Sequence, residues 1–143
     1  MIDTLMDAGP LIAIVNRGDP HHTACVEILR AHGGPFYTTL PVMTEAMYLC
    51  ERYLGWIAQQ ALWQMLLRGD LLLEHPSPQE LSRMAELMAK YRDHPMDFAD
   101  ASLVALAERL TLHRIFTLDY NDFSTYRMQK SRTFTLIGPR PTL

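Results

Sequence analysis

The chain has 143 residues, of which 48% are hydrophobic and 20% carry a charge. This length suits one domain with a sizeable core, and this composition excludes a disordered chain. The formal net charge of −3 excludes a protein that binds nucleic acid through bulk positive charge, so any such contact depends on local basic residues or on metal ions. We expect residues 1–143 to form a single domain.

The sequence also predicts where the protein resides. No apolar stretch approaches the roughly 20 residues that span a bilayer, so we expect no membrane association. The first residues, Met-Ile-Asp-Thr-Leu-Met-Asp, lack the basic region of a signal peptide. Cys25 and Cys50 are the only cysteines, and neither has a partner at zinc-binding spacing. We therefore expect a reduced, cytoplasmic protein.

Strand-like and helical segments alternate along the chain. The first half predicts, in order, a strand over residues 2–6, helices over 11–16 and 23–31, a strand over 36–39 and helices over 41–53 and 56–68. The second half predicts a strand over residues 71–74, helices over 78–91 and 98–110, and strands over 114–118 and 133–137. Strands separated by helices favour parallel pairing, so the predicted fold class is α/β with a central, mostly parallel sheet.

Local signals mark some of the predicted boundaries. The segment Ser77-Pro78-Gln79-Glu80 is a capping box with proline at the first helical position. Asp97 has the position of an N-cap for the helix that follows it. We expect Pro139 and Pro141 to end the last strand and to leave a short, frayed tail.

Four acidic residues fall where a predicted strand ends or the next helix begins, namely Asp7, Glu45, Asp100 and Asp119. The carboxyl ends of parallel strands line one edge of an open α/β sheet, and ligands bind at that edge. Carboxylates gathered there repel one another unless cations lie between them, and sites made only of carboxylate oxygens favour Mg²⁺ or Mn²⁺. The sequence therefore predicts metal-assisted chemistry, with phosphate as the favoured substrate group.

Several of the acidic residues also have a purely structural interpretation. Asp7 could simply begin a turn, and Glu45 could complement the positive end of a helix. We interpret Asp97 first as a helix cap and second as a metal ligand. Asp119 and Asp122 compete for the last place in the cluster, and we favour Asp119 because it lies nearer the strand end, whereas Asp122 before Phe123 could cap a short helical turn.

The densest run of basic residues follows the Asp119 loop and contains Arg127, Lys130 and Arg132. Arginine and lysine side chains are common phosphate ligands in nucleic-acid complexes, so we predict that these residues contact phosphates of the substrate. The alternative is that they are solvated surface residues.

The acidic residues lie in a set of short segments, which are in order Leu5-Met6-Asp7, Pro10-Leu11-Ile12-Ala13, Thr44-Glu45, Met96-Asp97-Phe98-Ala99-Asp100-Ala101-Ser102-Leu103 and Thr117-Leu118-Asp119-Tyr120-Asn121-Asp122-Phe123. With these segments the chain resembles the PIN-domain family and, within it, the VapC-type toxin ribonucleases of bacteria and archaea. The resemblance covers nearly the whole chain. It rests on the order and spacing of the segments, since none of them is specific by itself.

The resemblance implies a PIN-like three-layer α/β/α fold and a metal-dependent endoribonuclease that cleaves RNA phosphodiesters as the toxin of a toxin–antitoxin pair. The family's catalytic acids map onto Asp7, Glu45, Asp100 and Asp119, and a Mg²⁺ or Mn²⁺ ion would be held by Asp7, Asp100 and Asp119. Further candidates for binding the metal or holding its ligands are Asp97, Asp122 and Thr117. A small antitoxin protein is the implied partner. Many relatives have Thr or Ser directly after the first Asp, whereas this chain has Ala8-Gly9 and so lacks one supporting hydroxyl.

Two other functions remain open. The first is a catalytically weak or inactive PIN-like domain that binds RNA or a protein, which the Ala8-Gly9 departure supports and metal-dependent cleavage would exclude. The second is a phosphoryl-transfer domain with Asp7 as nucleophile. Such domains usually have a second Asp two residues later, where this chain has glycine. The sequence has no Ser-His-Asp set, Walker loop or GxGxxG motif, which disfavours serine hydrolases, NTPases and dinucleotide enzymes.

Residues 56–68 predict a helix with two apolar faces. At about 100° per residue, the stripe that should face the core comprises Ala58, Ala61, Leu62 and Met65. The roughly opposite side carries Trp56, Trp63 and Leu67. Exposed apolar patches commonly mark interfaces, so we predict a homodimer that uses this helix. The alternative is that a neighbouring helix covers the patch.

Overall fold

A parallel five-stranded sheet forms the centre of the molecule. The computed structural model describes residues 2–94 and 96–140. The strands are β1 (Thr4–Met6), β2 (Phe36–Thr39), β3 (Leu71–Glu74), β4 (Arg114–Phe116) and β5 (Thr135–Ile137). They lie in the order β3-β2-β1-β4-β5, and each neighbouring pair is parallel. The predicted α/β fold with a central parallel sheet is therefore confirmed.

Helices flank the sheet in a three-layer α/β/α arrangement. They are α1 (Ala8–Val15), α2 (His22–His32), α3 (Leu40–Tyr53), α4 (Trp56–Arg68), α5 (Pro78–Lys90), α6 (Phe98–Leu110) and α7 (Tyr120–Thr125), with a 3₁₀ turn at Gln129–Ser131. Helix α6 is buried along most of its length and packs against α3 and α5. None of the helices in the described ranges is long and apolar enough to cross a membrane.

The predicted helix caps are present. The hydroxyl of Ser77 accepts a hydrogen bond from the Glu80 N–H at 3.2 Å. The Asp97 carboxylate accepts one from the Asp100 N–H at 2.7 Å, so its interpretation as the cap of α6 is confirmed. Helix α1 begins earlier than predicted, directly after β1, because the side chain of Asp7 caps it.

The connection from β4 to β5 differs from the prediction. Strand β4 ends at Phe116 and not at residue 118, β5 begins at Thr135, and α7 lies between them. The sequence of α7, Tyr-Asn-Asp-Phe-Ser-Thr, contains mostly poor helix formers, so its pattern indicated only a short helical turn with Asp122 as a possible cap. The helix forms because Asp119 caps it and Phe123 is fully buried beneath it. It completes the crossover of a dozen or more residues that two parallel strands require.

The ends of the chain are described only in part. Strand β5 ends at Ile137, and the chain continues through Pro139 and Arg140. Residues 141–143 lie outside the described residues, so the predicted tail after Pro141 stays a prediction.

The order of the strands determines where a ligand can bind. From the central strand β1 the chain passes to β2 on one side, whereas β4 pairs with β1 on the other side. A crevice forms outside the carboxyl ends of the strands at such a switch point. Asp7 directly follows β1, Thr117 directly follows β4, and the Asp7 N–H donates to the Phe116 carbonyl at 2.9 Å. The carboxyl ends of β1 and β4 are thus linked by a hydrogen bond at the mouth of the crevice.

Gly138 directly follows β5 and lies against the backbone of Thr117. Its φ is 138°, and a Cβ added there would overlap the carbonyl oxygen of Thr117. We expect Gly138→Ala to lower the free energy of unfolding by about 1–3 kcal/mol, measured by urea denaturation. Gly18→Ala is the control, because Gly18 is exposed and has no positive φ. Equal stability of the two variants would contradict the prediction.

Candidate metal-binding active site

An acidic cleft of about 410 Å³ opens at the carboxyl ends of β1 and β4. Six carboxylates line it, namely those of Asp7, Glu45, Asp97, Asp100, Asp119 and Asp122. The four predicted catalytic acids are all among them, although they are far apart in the sequence. No lysine or arginine within the described residues lines this cleft. The fold therefore concentrates negative charge at the position where an α/β sheet binds its ligand.

Asp7 lies between the first strand and the first helix. One carboxylate oxygen accepts from the Ala8 N–H at 2.8 Å, and the other accepts from the Thr117 hydroxyl at 2.7 Å. Burial raises the pKa of Asp7 to about 6 from its ordinary 3.8, although these two hydrogen bonds lower it. The charges of Glu45 and Asp119 raise the pKa further. An ionised Asp7 is therefore unfavourable here unless positive charge is added to the cleft.

Asp100 lies in the first turn of α6, where Asp97 caps its N–H. Burial, followed by the charge of Asp97, raises the pKa of Asp100 to about 8. The hydroxyl of Tyr126 donates a hydrogen bond to Asp100 Oδ2 at 2.8 Å, which acts in the opposite direction and lowers this pKa. The negative charge of Asp7, across the cleft, also contributes to this increase in the pKa of Asp100.

The third part of the cleft comes from the segment after β4. Asp119 caps α7 by accepting from the Asp122 N–H at 3.0 Å. Burial raises the pKa of Asp119, and its side-chain hydrogen bond with Asp122 raises it further. Asp122 in turn contacts the ring nitrogen of His94 at 2.7 Å. Both acids line the cleft, so the choice of Asp119 over Asp122 as the metal ligand stays a prediction.

Glu45 contributes the opposite wall from α3. Its side chain is half-buried, and burial, followed by the charge of Asp97, raises its pKa. Among the described residues, no hydrogen-bond donor contacts its carboxylate, in contrast to Asp7 and Asp100. Glu45 is therefore the least constrained of the four predicted catalytic acids.

Thr117 connects two of the acids. It is fully buried, donates its hydroxyl proton to Asp7, and accepts from the Asp119 N–H at 2.9 Å. Relatives with Thr or Ser after the first Asp carry a supporting hydroxyl there, whereas this chain has Ala8. Thr117, directly after the neighbouring strand β4, donates its hydroxyl proton to the Asp7 carboxylate. Asp7 therefore still has a side-chain donor, although position 8 has no hydroxyl.

The predicted basic residues are placed differently. Arg127 follows α7, and its guanidinium donates to the backbone carbonyls of Ser124, Thr125 and Tyr126 at the end of that helix. Lys130 and Arg132 are exposed and line a separate cleft, which shares no lining residue with the acidic one. Their predicted contact with RNA phosphates is therefore not a contact at the acidic cleft itself, and it stays a prediction.

The cleft has the donor chemistry of a divalent-cation site. Among residues 2–94 and 96–140, however, no three His, Cys, Asp or Glu side chains are grouped closely enough to grip an ion together. Mg²⁺ keeps several of its water ligands and uses only one or two carboxylates directly, so it does not need all the acids to converge on one point. An oxygen-only cleft with raised carboxylate pKa values fits such a partly hydrated cation.

Sequence reasoning missed two residues of the site. Tyr126 and His94 contact Asp100 and Asp122 through tertiary structure, and they occupy no position in the family segments. The only available signal was indirect, because a carboxylate near a buried edge needs a hydrogen-bond donor. That rule requires a donor without saying which residue provides it.

The fold and the acidic cleft define a PIN domain, and the chain belongs to the PIN domain family, whose sequence model matches residues 4–127. The predicted resemblance is therefore confirmed. Ribonuclease VapC26 of Mycobacterium tuberculosis is 29% identical over 133 residues, covering 93% of this chain and 98% of the relative.

Solved structures of similar fold include a VapC protein and a VapBC complex. Mycobacterium tuberculosis VapC20, described as a toxin that cleaves the sarcin-ricin loop, superposes with a TM-score of 0.73 at 18% identity, covering 79% of this chain and 87% of that one. VapBC2 from Rickettsia felis, bound to a DNA fragment from its promoter, has a TM-score of 0.68 at 14% identity, covering 96% of this chain and 99% of that one.

Proposed function

We propose that this chain is a metal-dependent endoribonuclease that cleaves RNA phosphodiesters, acting in the cytoplasm as the toxin of a toxin–antitoxin pair. The observation that carries the proposal is the cleft of six carboxylates at the switch point of a PIN domain. The similarity to a ribonuclease over nearly the full length of both chains supports the same activity. We further propose that residues 1–143 form a single PIN-like domain.

Asp7, Asp100 and Asp119 would hold a Mg²⁺ or Mn²⁺ ion. Such an ion lowers the pKa of a coordinated water and neutralises charge on the phosphodiester. The chain's own contribution is to fix the carboxylates in place: backbone N–H groups and the hydroxyls of Thr117 and Tyr126 hold them on different walls of the cleft. The phosphate of an RNA strand could then approach from the open side of the cleft.

Glu45 is the best candidate for accepting the proton of the attacking water. Burial shifts the pKa of Glu45 upward, toward neutral pH, and a general base works best when its pKa is near the working pH. Its carboxylate accepts no hydrogen bond from the described residues, so both oxygens are available to water. Asp7 and Asp100, by contrast, each have at least one oxygen occupied by a donor.

Conditional expression in a bacterial host tests the whole proposal. Wild-type protein should arrest growth and degrade RNA, whereas Asp7→Asn, which removes one charge from the cleft, should do neither. Protein levels are compared by immunoblot so that loss of toxicity is not loss of protein. Equal growth of cells that express the wild type and the variant, with intact RNA in both, would favour the alternative of an inactive RNA- or protein-binding domain.

A toxin of this kind requires a small antitoxin protein as its partner. The Rickettsia felis structure is that of a VapBC pair on promoter DNA, which supports a partner of the same type for this chain. A gene for a small protein next to the gene for this chain should therefore restore growth when it is co-expressed.

We also propose a homodimer that uses α4. Ala58, Leu62 and Met65 are buried as predicted and Ala61 is half-buried, whereas Trp56, Trp63 and Leu67 are 62%, 48% and 80% exposed. The neighbouring Ile57 is 81% exposed and extends this apolar patch. Among the described residues of one chain, no helix covers it, so the patch is available to a second copy.

Trp63→Glu should convert the dimer into a folded monomer, because a charge in an apolar interface is poorly solvated. Light scattering at tens of micromolar protein measures the mass. Leu81→Glu is the matched control: Leu81 is also exposed, at 49%, but lies on α5. A wild type that is already monomeric, or a Leu81→Glu variant that dissociates equally, would argue against an α4 interface.

A further inference from the structure

Tyr126 is a buried tyrosine that contacts one carboxylate of the acidic cleft. It follows α7 directly and is fully buried, with its ring at 5.1 Å from the ring of Tyr91 and 5.3 Å from that of Phe123. Both neighbouring rings meet it edge-on. This packing fixes the plane of the Tyr126 ring and therefore the direction of its hydroxyl.

The hydroxyl has a polar role that the aromatic packing alone does not require. A phenylalanine would fill the same apolar space, and a buried hydroxyl is unfavourable unless it forms a hydrogen bond. The Tyr126 hydroxyl donates to Asp100 Oδ2 at 2.8 Å. Burial, followed by the hydrogen bond and charge of Asp100, raises the pKa of Tyr126 well above its ordinary value, so the phenol remains a donor.

The consequence for Asp100 is geometric. With Oδ2 held by the phenol, the rotation of the carboxylate is restricted, and Oδ1 has no partner among the described residues. Thr117 acts on Asp7 in a similar way, at 2.7 Å. The two carboxylates are thus each held by one hydroxyl, and both hydroxyls come from the segment that follows β4. This segment therefore positions two acids from elsewhere in the chain, Asp7 after β1 and Asp100 in α6.

We propose that Tyr126 is a positioning residue that orients the Asp100 carboxylate for binding a divalent cation. The inference rests on the proposed function, since it assigns Tyr126 to the same site. Hydrogen-bond partners of metal ligands typically contribute about 10–100-fold to metal affinity or activity. Loss of the Tyr126 hydroxyl alone should therefore weaken cation binding without altering the core.

Tyr126→Phe tests this directly, with Mn²⁺ as the probe. The concentration of Mn²⁺ that produces a fixed rise in melting temperature should increase about 10-fold in the variant, without RNA present. Half-maximal RNA cleavage should shift to higher Mn²⁺ by the same factor. Binding is thus measured separately from activity.

Tyr91→Phe is the matched control. Tyr91 belongs to the same aromatic cluster, and its hydroxyl accepts from the Arg127 N–H at 2.8 Å, but it contacts no carboxylate of the cleft. The Mn²⁺ concentration that it needs for the same rise should stay at the wild-type value. An equal increase in both variants, or an unchanged Mn²⁺ requirement in folded Tyr126→Phe, overturns the proposal while leaving the nuclease intact. A wild type that ignores Mn²⁺ overturns the proposed function as well.

A double variant separates positioning from packing. If Tyr126 acts through Asp100, then Asp100→Asn/Tyr126→Phe should bind Mn²⁺ no more weakly than Asp100→Asn alone. A further loss in the double variant would assign Tyr126 a role independent of Asp100 and overturn the proposal. If neither Tyr126→Phe nor the double variant folds, the hydroxyl is needed for the stability of the core. That result also overturns the proposal.

Discussion

Asp7→Asn and Asp100→Asn should each slow RNA cleavage by about 10²–10³-fold, the usual effect of removing one electrostatic group from an active site. Each substitution replaces a charged ligand with a neutral amide of the same shape. At position 100 the amide oxygen can still accept the hydrogen bond from Tyr126, so the loss there should reflect charge. At position 7 the amide oxygen can accept from Ala8, but the NH2 group cannot accept the proton of Thr117, so this loss should combine charge with one hydrogen bond.

Purified protein with a defined RNA and Mg²⁺ or Mn²⁺ provides the measurement, and EDTA should stop the reaction. Asp3→Asn is the control, since Asp3 is exposed near the start of β1 and does not line the cleft. The same purification applied to each variant detects contaminating host nuclease. Cleavage that persists equally in both cleft variants, or in EDTA, would remove the carboxylates from the mechanism.

The sequence predicted those parts of the site that depend on local structure. Asp97 and Ser77 are caps whose signals lie within three residues of the N–H groups that they bind. Asp7 follows a run of apolar residues, and the end of a buried strand is recognisable from such a run. Because parallel strands place their carboxyl ends on one edge, local boundaries were enough to bring the four acids together.

The remaining features depend on contacts between distant segments. Tyr126 and Asp100 are 26 residues apart, and Thr117 and Asp7 are 110 residues apart. No periodicity relates such pairs. The start of helix α7 and its cap, Asp119, escaped prediction for a related reason, since the stability of this helix comes from the burial of Phe123 and not from helix propensity. The site's hydroxyl donors thus belong to the segment that sequence patterns described least well.

The basic residues illustrate a third limit. The density of basic residues after the Asp119 loop suggested that Arg127 contacts phosphate, which stays a prediction, and its guanidinium binds carbonyl groups at the end of α7. An arginine next to a helix C-terminus is attracted by the carbonyls that have no partner within the helix. Net charge and sequence distance cannot distinguish that local role from a role in substrate binding.

The clustered acids should also make the metal-free protein less stable than it could be. We expect Asp100→Asn to raise the melting temperature of the metal-free protein at neutral pH by about 3–6 °C, which corresponds to relief of about 1–2 kcal/mol. The reason is that burial and the charge of Asp97 disfavour an ionised Asp100, whereas an asparagine has no charge to lose or gain. Divalent cations should stabilise the wild type, because they bind only the native cleft.

The pH dependence follows from the direction of the shift. The pKa of Asp100 is about 8 in the folded protein against an ordinary 3.8, so between these values the native state binds more protons than the unfolded state. Stability therefore falls as pH rises through this interval. The pKa of about 6 for Asp7 acts in the same direction over a narrower interval. The advantage of Asp100→Asn should accordingly be small near pH 4 and largest near pH 8, by the same relation.

Differential scanning calorimetry of wild type, Asp100→Asn and Asp3→Asn across this pH range measures the effect, with EDTA and then with Mn²⁺. Asp3→Asn should follow the wild type throughout, because Asp3 is exposed and lies outside the cleft. Mn²⁺ should reverse the order of stability, since the ion stabilises the wild-type cleft and binds weakly where Asp100 has lost its charge. A melting temperature that ignores Mn²⁺, together with an Asp100→Asn variant that is no more stable than the wild type at pH 8, would mean that the carboxylates are dispersed in solution and do not share one site.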